Sequence, residues 1–254
     1  MIDIHSHILP GIDDGAQTIE DSIKMAKAAV NEGITTIIAT PHHKNNQFNN
    51  LKSSILTKVN DLNTVFKQEN IPLTVLPGQE VRIYGEVIED YYKEEILTLN
   101  HTKYLFIEFP SSSVPRYAER LMYELQTEGI IPIIVHPERN KELQEKPDIL
   151  FQLVKNGALT QLTASSLTGY FGKTIKKFSE QLILQNLTHF IASDAHNTYN
   201  RGFKFKEAHK FIEENFGIDY IYLFKENSEL LSRDKHIIKE IPEPIKRKKF
   251  LGVF

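Results

Sequence analysis

The sequence predicts an α/β fold, either a βα barrel or a doubly wound sheet. Seven short β-rich runs alternate with longer amphipathic segments along 254 residues. Several runs, such as TTIIAT at Thr35–Thr40, YLFIEF at Tyr104–Phe109 and IIPIIVH at Ile130–His136, are almost wholly apolar. Strands buried on both faces of a parallel sheet have this composition. The length also suits one barrel of ~250 residues, and no internal repeat or low-complexity linker divides the chain.

The expected strands are Met1–His5, Thr35–Thr40, Leu73–Pro77, Tyr104–Phe109, Ile130–His136, Leu159–Thr163 and His189–Ser193. A helix is expected from Thr18 to Glu32, because Ile19, Ile23, Ala26 and Val30 fall on one face. Thr18 and Asp21 form a capping pair at its start, and Gly33 suits its stop. Leu51 to Phe66 repeats the pattern with Leu51, Ile55, Leu62 and Phe66. Pro115 is expected to open a third helix that ends near Gly129. Pro147 to Asn156, Thr174 to Gln185 and Phe203 to Phe216 complete the set. Residues 240–254 read as an irregular tail carrying the basic cluster Lys246, Arg247, Lys248 and Lys249, expected to be solvated.

Composition narrows the chemistry. Hydrophobic residues make up 41% and charged residues 25%, ordinary values for a globular chain. Lys and Arg total 30 against 33 Asp and Glu, a formal net charge of -3, so no overall basic charge is available for long nucleic acid or an anionic membrane. Cysteine is absent, which excludes disulfides, thiolate metal sites and a Cys nucleophile. No signal-peptide pattern and no spanning apolar run is visible, so a cytoplasmic location is expected.

The acids and histidines gather at one place on this strand map. His5 and His7 end the first run, Asp14 follows it, and His42 follows the second. Glu80 follows the third, Glu108 ends the fourth, His136 ends the fifth, and Asp194 and His196 follow the last. All nine lie at or just beyond the C-terminal ends of strands, where the ends of a βα barrel converge on one rim. His5-Ser6-His7 and Asp194-Ala195-His196 each place two side chains on the same side of an extended chain. Imidazoles and carboxylates without thiol suit Mn, Fe, Zn or Mg. Nine are too many for one ion, so two or three are expected, with carboxylates such as Glu80 bridging. Such clusters can activate water and clamp a phosphoryl group. Arg139, in HPERN, and Arg201, in DAHNTYNR, are candidates to present guanidinium forks to phosphate oxygens. His43, beside His42, is expected to point elsewhere, and His101, His189, His209 and His236 fall outside the pattern.

DIHSHILPGIDDG, TPHH, GQE, FIEF, HPER and SDAHN together resemble the PHP (polymerase and histidinol phosphatase) superfamily, most closely its CpsB/CapC/YwqE-type bacterial tyrosine-protein phosphatases. The resemblance runs from Met1 to about Arg201. It implies a single-domain, distorted seven-stranded βα (TIM-like) barrel with a trinuclear centre held by the nine residues, and manganese as the metal. It also implies phosphotyrosine on a partner tyrosine kinase, often in a Tyr-rich tail, as the substrate, and a role in capsular or exopolysaccharide synthesis. Contact with a membrane would then be indirect, through the kinase. Two other readings remain open at this point. One is a different phosphoesterase of the superfamily, acting on a histidinol-phosphate-like or phosphodiester substrate. The other is a non-catalytic regulator that docks the kinase tail.

Overall fold

The seven β-rich runs all form strands, and two further short strands follow the second and third runs. In the computed structural model, which describes residues 1–245, the first run is β1 (Ile2–Ser6). The second gives β2 (Thr36–Ala39), breaks at Thr40-Pro41 and resumes as β3 (His42–His43). The third gives β4 (Thr74–Pro77), breaks at Gly78-Gln79 and resumes as β5 (Glu80–Arg82). The others are β6 (Tyr104–Glu108), β7 (Ile131–Val135), β8 (Leu159–Thr163) and β9 (Phe190–Ala192). Pro41 has no N–H for a ladder. At Gly78 a Cβ would lie 2.7 Å from the Ile38 side chain and 2.9 Å from Leu99, so only glycine allows this close approach.

Every strand pair is parallel, in the orders β1-β2-β4 and β3-β5-β6-β7-β8-β9. The expected distorted barrel of seven strands is therefore corrected, among the described residues, to two parallel sheets of nine short strands. The physical reason is the pair of breaks just past the second and third runs: β2 and β4 stay in the first ladder, and the chain beyond each break joins the second as β3 and β5. The end of β1 meets the segment after β9 through backbone bonds: Asp194 N–H donates to His5 O, and His7 N–H donates to Ala195 O, each at 2.9 Å.

The helices are α1 (Ile19–Asn31), α2 (Lys52–Gln68), α3 (Val87–Tyr92), α4 (Ala118–Thr127), α5 (Lys141–Glu145), α6 (Pro147–Lys155), α7 (Ala164–Leu167), α8 (Lys173–Leu184), α9 (Phe205–Phe216) and α10 (Ile218–Ser232). The Thr18–Asp21 capping box forms at the start of α1 as expected. Pro115 does not open α4, which starts at Ala118 with Tyr117 at its cap. The unexpected α10 escapes a periodicity reading because its buried face carries Asn227 and Ser228 among Ile221, Phe224 and Leu231. Asn227 is satisfied there, donating to His189 O at 3.1 Å and Ile238 O at 3.0 Å. No helix among the described residues is long and apolar enough to cross a membrane. Lys246, Arg247, Lys248 and Lys249 lie outside the described residues.

Strand period two sorts side chains into two cores. Leu105, Ile107, Ile134, Leu162 and Ile191 join the larger one with residues of the helices. Tyr104, Phe106, Ile133, Val135, Leu159, Phe190 and Ala192 face a second core, together with Leu231 and Ile237. The same alternation places Glu108 beyond Phe106, and Gln161 beyond Leu159, on the face of the second core. A shift in the β1 register between Asp3 and Ser6 accompanies the turn of His5 to the same side, its ring 5.0 Å from Phe106.

His189 bears on stability. It is buried, its Nδ1 accepts from Thr160 N–H at 3.1 Å, and burial pushes its pKa down to about 3. The unfolded imidazole titrates near ~6.5. Between those values the unfolded chain holds more protons, so this contribution is full above pH ~6.5 and is lost as pH falls toward 3. Urea unfolding of metal-free protein should therefore show stability falling from pH 7 to 5, with a shallower fall in His189→Gln. An identical slope in the variant would contradict this assignment.

Candidate metal centre

Strand ends and two unusual backbone positions build the site. Glu80 starts β5 and Glu108 ends β6, so strand geometry alone delivers them. His136 and Asp194 follow β7 and β9 with φ of 37° and 52°. These left-handed conformations are sparsely populated by non-glycine residues. Each turns its side chain back toward the centre just as the ladder stops. Asp14 comes from the loop after β1, and that loop folds onto His7 only because residue 15 is glycine. A Cβ there would lie 2.0 Å from the His7 carbonyl oxygen.

All nine predicted residues converge. The His5 and His7 Nε2 atoms lie 3.4 and 3.3 Å from Glu80 Oε2, and 3.5 and 3.4 Å from Asp194 Oδ1. His42 Nδ1 is 2.9 Å from Glu80 Oε2 and 3.9 Å from Glu108 Oε2. His42 Nε2 and His196 Nε2 each lie 3.3 Å from Asp14 Oδ1. His136 Nε2 is 2.8 Å from Glu80 Oε1. Three overlapping groups have ligand atoms within 4.8 Å of one another: His7, Asp14, His42 and His196; His5, His7 and Glu80; and His42, Glu80 and Glu108. The overlap at His7, His42 and Glu80 suits adjacent cations with shared ligands.

Unpaired atoms test whether metal fits. His42 Nδ1, Glu80 Oε2, Glu108 Oε2 and His196 Nε2 are buried without a hydrogen-bond partner. His42 Nδ1 and Glu80 Oε2 are 2.9 Å apart yet not aligned to share a proton. An unmet buried polar group costs about 1–3 kcal/mol. All four belong to residues of the three overlapping groups, and together they form a donor set that divalent cations satisfy.

A further set of contacts fixes the imidazoles. His7 Nδ1 bonds Asp13 Oδ2 at 2.7 Å, His5 Nδ1 bonds Gln161 Oε1 at 2.8 Å, and His196 Nδ1 bonds Asp194 O at 2.9 Å. With Nδ1–H donating in each case, the Nε2 lone pair faces the centre. Asp13 also accepts from Gly15 N–H at 2.9 Å and His42 N–H at 3.2 Å, tying the loop to two histidines. Asp13, Gln161 and Arg82 are the residues that sequence reasoning missed. Asp13 was signalled by its place beside Asp14, and Arg82 by sharing strand parity with Glu80. Arg82 Nε lies 3.3 Å from Glu108 Oε2. Gln161 had only the weak signal of a polar residue inside a buried strand. His43 is buried and stays out of the cluster, as expected.

Charge sets the protonation states. Burial alone would raise Glu80, but His42 and His5 hold its carboxyl well below the usual range. Burial opposes Asp194 likewise, and Arg139 and His196 keep it low. Burial, reinforced by Glu80, pushes Glu108 up to about 7. Burial, reinforced by Arg139, holds His136 down at about 3.

The two arginines share one anchor. Arg139 Nη2 lies 2.7 Å from Asp194 Oδ2, and Arg201 Nη2 donates to the same oxygen at 3.1 Å. Arg201 Nη1 also reaches Asp14 Oδ2 at 3.4 Å. Phe171 packs against the Arg139 guanidinium, 5.3 Å from ring centroid to Cζ. Both arginines line an open cavity of about 250 Å³, bordered also by Glu108, Phe109, His136 and Asp194.

The family described as "Capsular polysaccharide synthesis, CpsB/CapC" matches residues 1–232. The chain belongs to the CpsB/CapC family. Over its full length, this family member is 53% identical to all of the tyrosine-protein phosphatase YwqE of Bacillus subtilis (strain 168). It is 42% identical, again over the whole of both chains, to the putative tyrosine-protein phosphatase CapC of Staphylococcus aureus. A solved structure matches 97% of the chain with a TM-score of 0.95 and 53% identity, and all of the solved chain is covered. It comes from a study of YwqE from Bacillus subtilis and CpsB from Streptococcus pneumoniae, described as unique metal-dependent tyrosine phosphatases.

The Nδ1 contacts predict an effect on metal affinity. Asp13→Asn and Gln161→Leu should each weaken divalent-cation binding by roughly 10–100-fold, read by calorimetry on folded protein. Unchanged affinity in both would show that these contacts do not orient the ligands.

Proposed function

We propose that this chain is a Mn²⁺-dependent protein-tyrosine phosphatase, acting in the cytoplasm on phosphotyrosine of a bacterial tyrosine kinase and so regulating capsular or exopolysaccharide synthesis. The observation that carries this reading is the convergence of nine imidazoles and carboxylates, four of which (His42, Glu108, His136 and Asp194) border one open cavity together with Arg139 and Arg201. The names of the relatives and the full-length likeness support it.

His5, His7, Asp14, His42, Glu80, Glu108, His136, Asp194 and His196 would hold two or three ions. When bound, such ions lower the pKa of a coordinated water and offset phosphoryl charge. Arg139 and Arg201 donate N–H groups to the phosphoryl oxygens on the open side. Asp194 holds both forks before substrate arrives, so little reorganisation accompanies charge build-up. Water attacks phosphorus opposite the tyrosyl oxygen, and the P–O bond to that oxygen breaks. The phenolate so released has a conjugate-acid pKa near ~10, so no strong general acid is required. The sequence contains no cysteine, so no cysteinyl phospho-enzyme forms.

EDTA should abolish turnover of an aryl phosphate and Mn²⁺ should restore it; turnover by metal-free protein refutes the reading. kcat/KM on a phosphotyrosyl peptide should exceed that on histidinol phosphate and on a phosphodiester, and preference for the diester overturns it. Arg139→Ala should lower kcat/KM by roughly 10²–10³-fold while metal content holds, as removal of a preorganised donor does.

A further inference from the structure

The cavity has a second wall that the metal-and-arginine chemistry does not use. Beside the guanidinium groups, its border includes Phe109, Ser111, Pro137 and Asn140. Phe109 and Pro137 are apolar and largely buried, and Ser111 is exposed. The segment Phe109–Ser113 leaves β6 with no helix or strand of its own, yet its backbone is tied from several sides. Arg82 Nη1 donates to Phe109 O at 2.9 Å, and Lys141 N–H donates to Ser111 O at 2.9 Å. Asn140 Nδ2 donates to both Pro110 O at 2.7 Å and Ser113 O at 3.0 Å.

Asn140 is the hub. Its Oδ1 accepts from Leu143 N–H at 2.9 Å and so caps α5, the helix that begins directly after it. Both Nδ2 hydrogens are committed to the loop carbonyls, so the amide has no donor left for a ligand although it borders the cavity. It directly follows Arg139 in the chain. One side chain thus sets the spacing between the arginine on one wall and the Phe109–Ser113 segment on the other. A tethered Phe109, with Pro137, bordering the same cavity as two phosphate donors fits an aromatic leaving group better than a flexible alkyl one.

We propose that Phe109–Ser113 is the wall that receives the aryl group of the substrate, and that Asn140 is the residue that positions it. This rests on the phosphatase reading, and it assigns that site a source of preference for aryl over alkyl phosphates. The test reads binding, so it does not depend on turnover. Mn²⁺-loaded wild type, Asn140→Ser and Phe109→Leu are titrated by calorimetry with inorganic phosphate and with benzylphosphonate. Serine keeps an oxygen able to cap α5 but lacks the two amide donors, so the variant separates the cap from the tether. Leucine keeps the core filled but removes the flat face.

Both variants should bind benzylphosphonate about tenfold more weakly, a loss typical of an impaired apolar pocket, while phosphate affinity stays unchanged. Equal weakening of both ligands would mean that Asn140 acts only through Arg139 or general structure, and would overturn the proposal. Unchanged benzylphosphonate affinity in Asn140→Ser would overturn it too. If wild type shows the expected binding pattern but never turns over an aryl phosphate, the phosphatase reading fails and the wall assignment stands.

Discussion

Keeping two carboxylates ionised in the interior is the constraint on which this structure turns. Glu80 and Asp194 are 0% and 3% exposed. Removing a carboxylate from water costs several kcal/mol even after relaxation, unless positive charge and hydrogen bonds surround it. Here His5, His7, His42 and His136 close around Glu80, while Arg139 and Arg201 close around Asp194. The imidazoles supply only part of the compensation, because burial and neighbouring cations hold His136 and His196 below their ordinary range. A donor set this acidic, with unpaired oxygens and nitrogens facing inward, is stable in charge terms when divalent cations join it.

The backbone accommodates that requirement at a cost. Left-handed His136 and Asp194 store strain of about 1–3 kcal/mol each. Glycine at position 15 lets the Asp13–Asp14 loop lie against His7. The breaks at Thr40-Pro41 and Gly78-Gln79 carry β3 and β5 away from the first ladder into the second, so His42 and Glu80 pair side by side as register partners. Each irregularity falls next to a residue of the centre, and each moves a side chain to where regular strand geometry would not put it. The same economy recurs at Asn140, where one amide serves a helix cap and a loop tether together.

Much of this was legible in the chain. Apolar runs such as YLFIEF have the composition of strands covered on both faces, and Tyr104–Glu108 is one. The Thr18–Asp21 pair marked a helix start because its hydrogen bonds are local. The nine candidate ligands were legible because parallel strands present their C-terminal ends together. What was not legible has a common cause. Asn227 and Ser228 hid α10, because a buried amide is satisfied only by partners distant in sequence, here His189 and Ile238. Gln161 gave almost no signal, because its role exists only once β8 lies against His5. Pro115 satisfied the rule for a helix start, yet α4 begins at Ala118.

The sequence by itself determined the α/β class, the alternation of its main strands and helices, the absence of thiol chemistry and which imidazoles and carboxylates gather. These follow from local periodicity and residue type, which the chain carries wherever it goes. Only the tertiary structure decided that the strands form two sheets, that Asp194 anchors both arginines, that Asp13 and Gln161 set the histidine tautomers, and that Asn140 ties the two walls of the cavity. Those are distances between groups up to 156 positions apart, as with His5 and Gln161, and a one-dimensional pattern carries no distance until the chain folds.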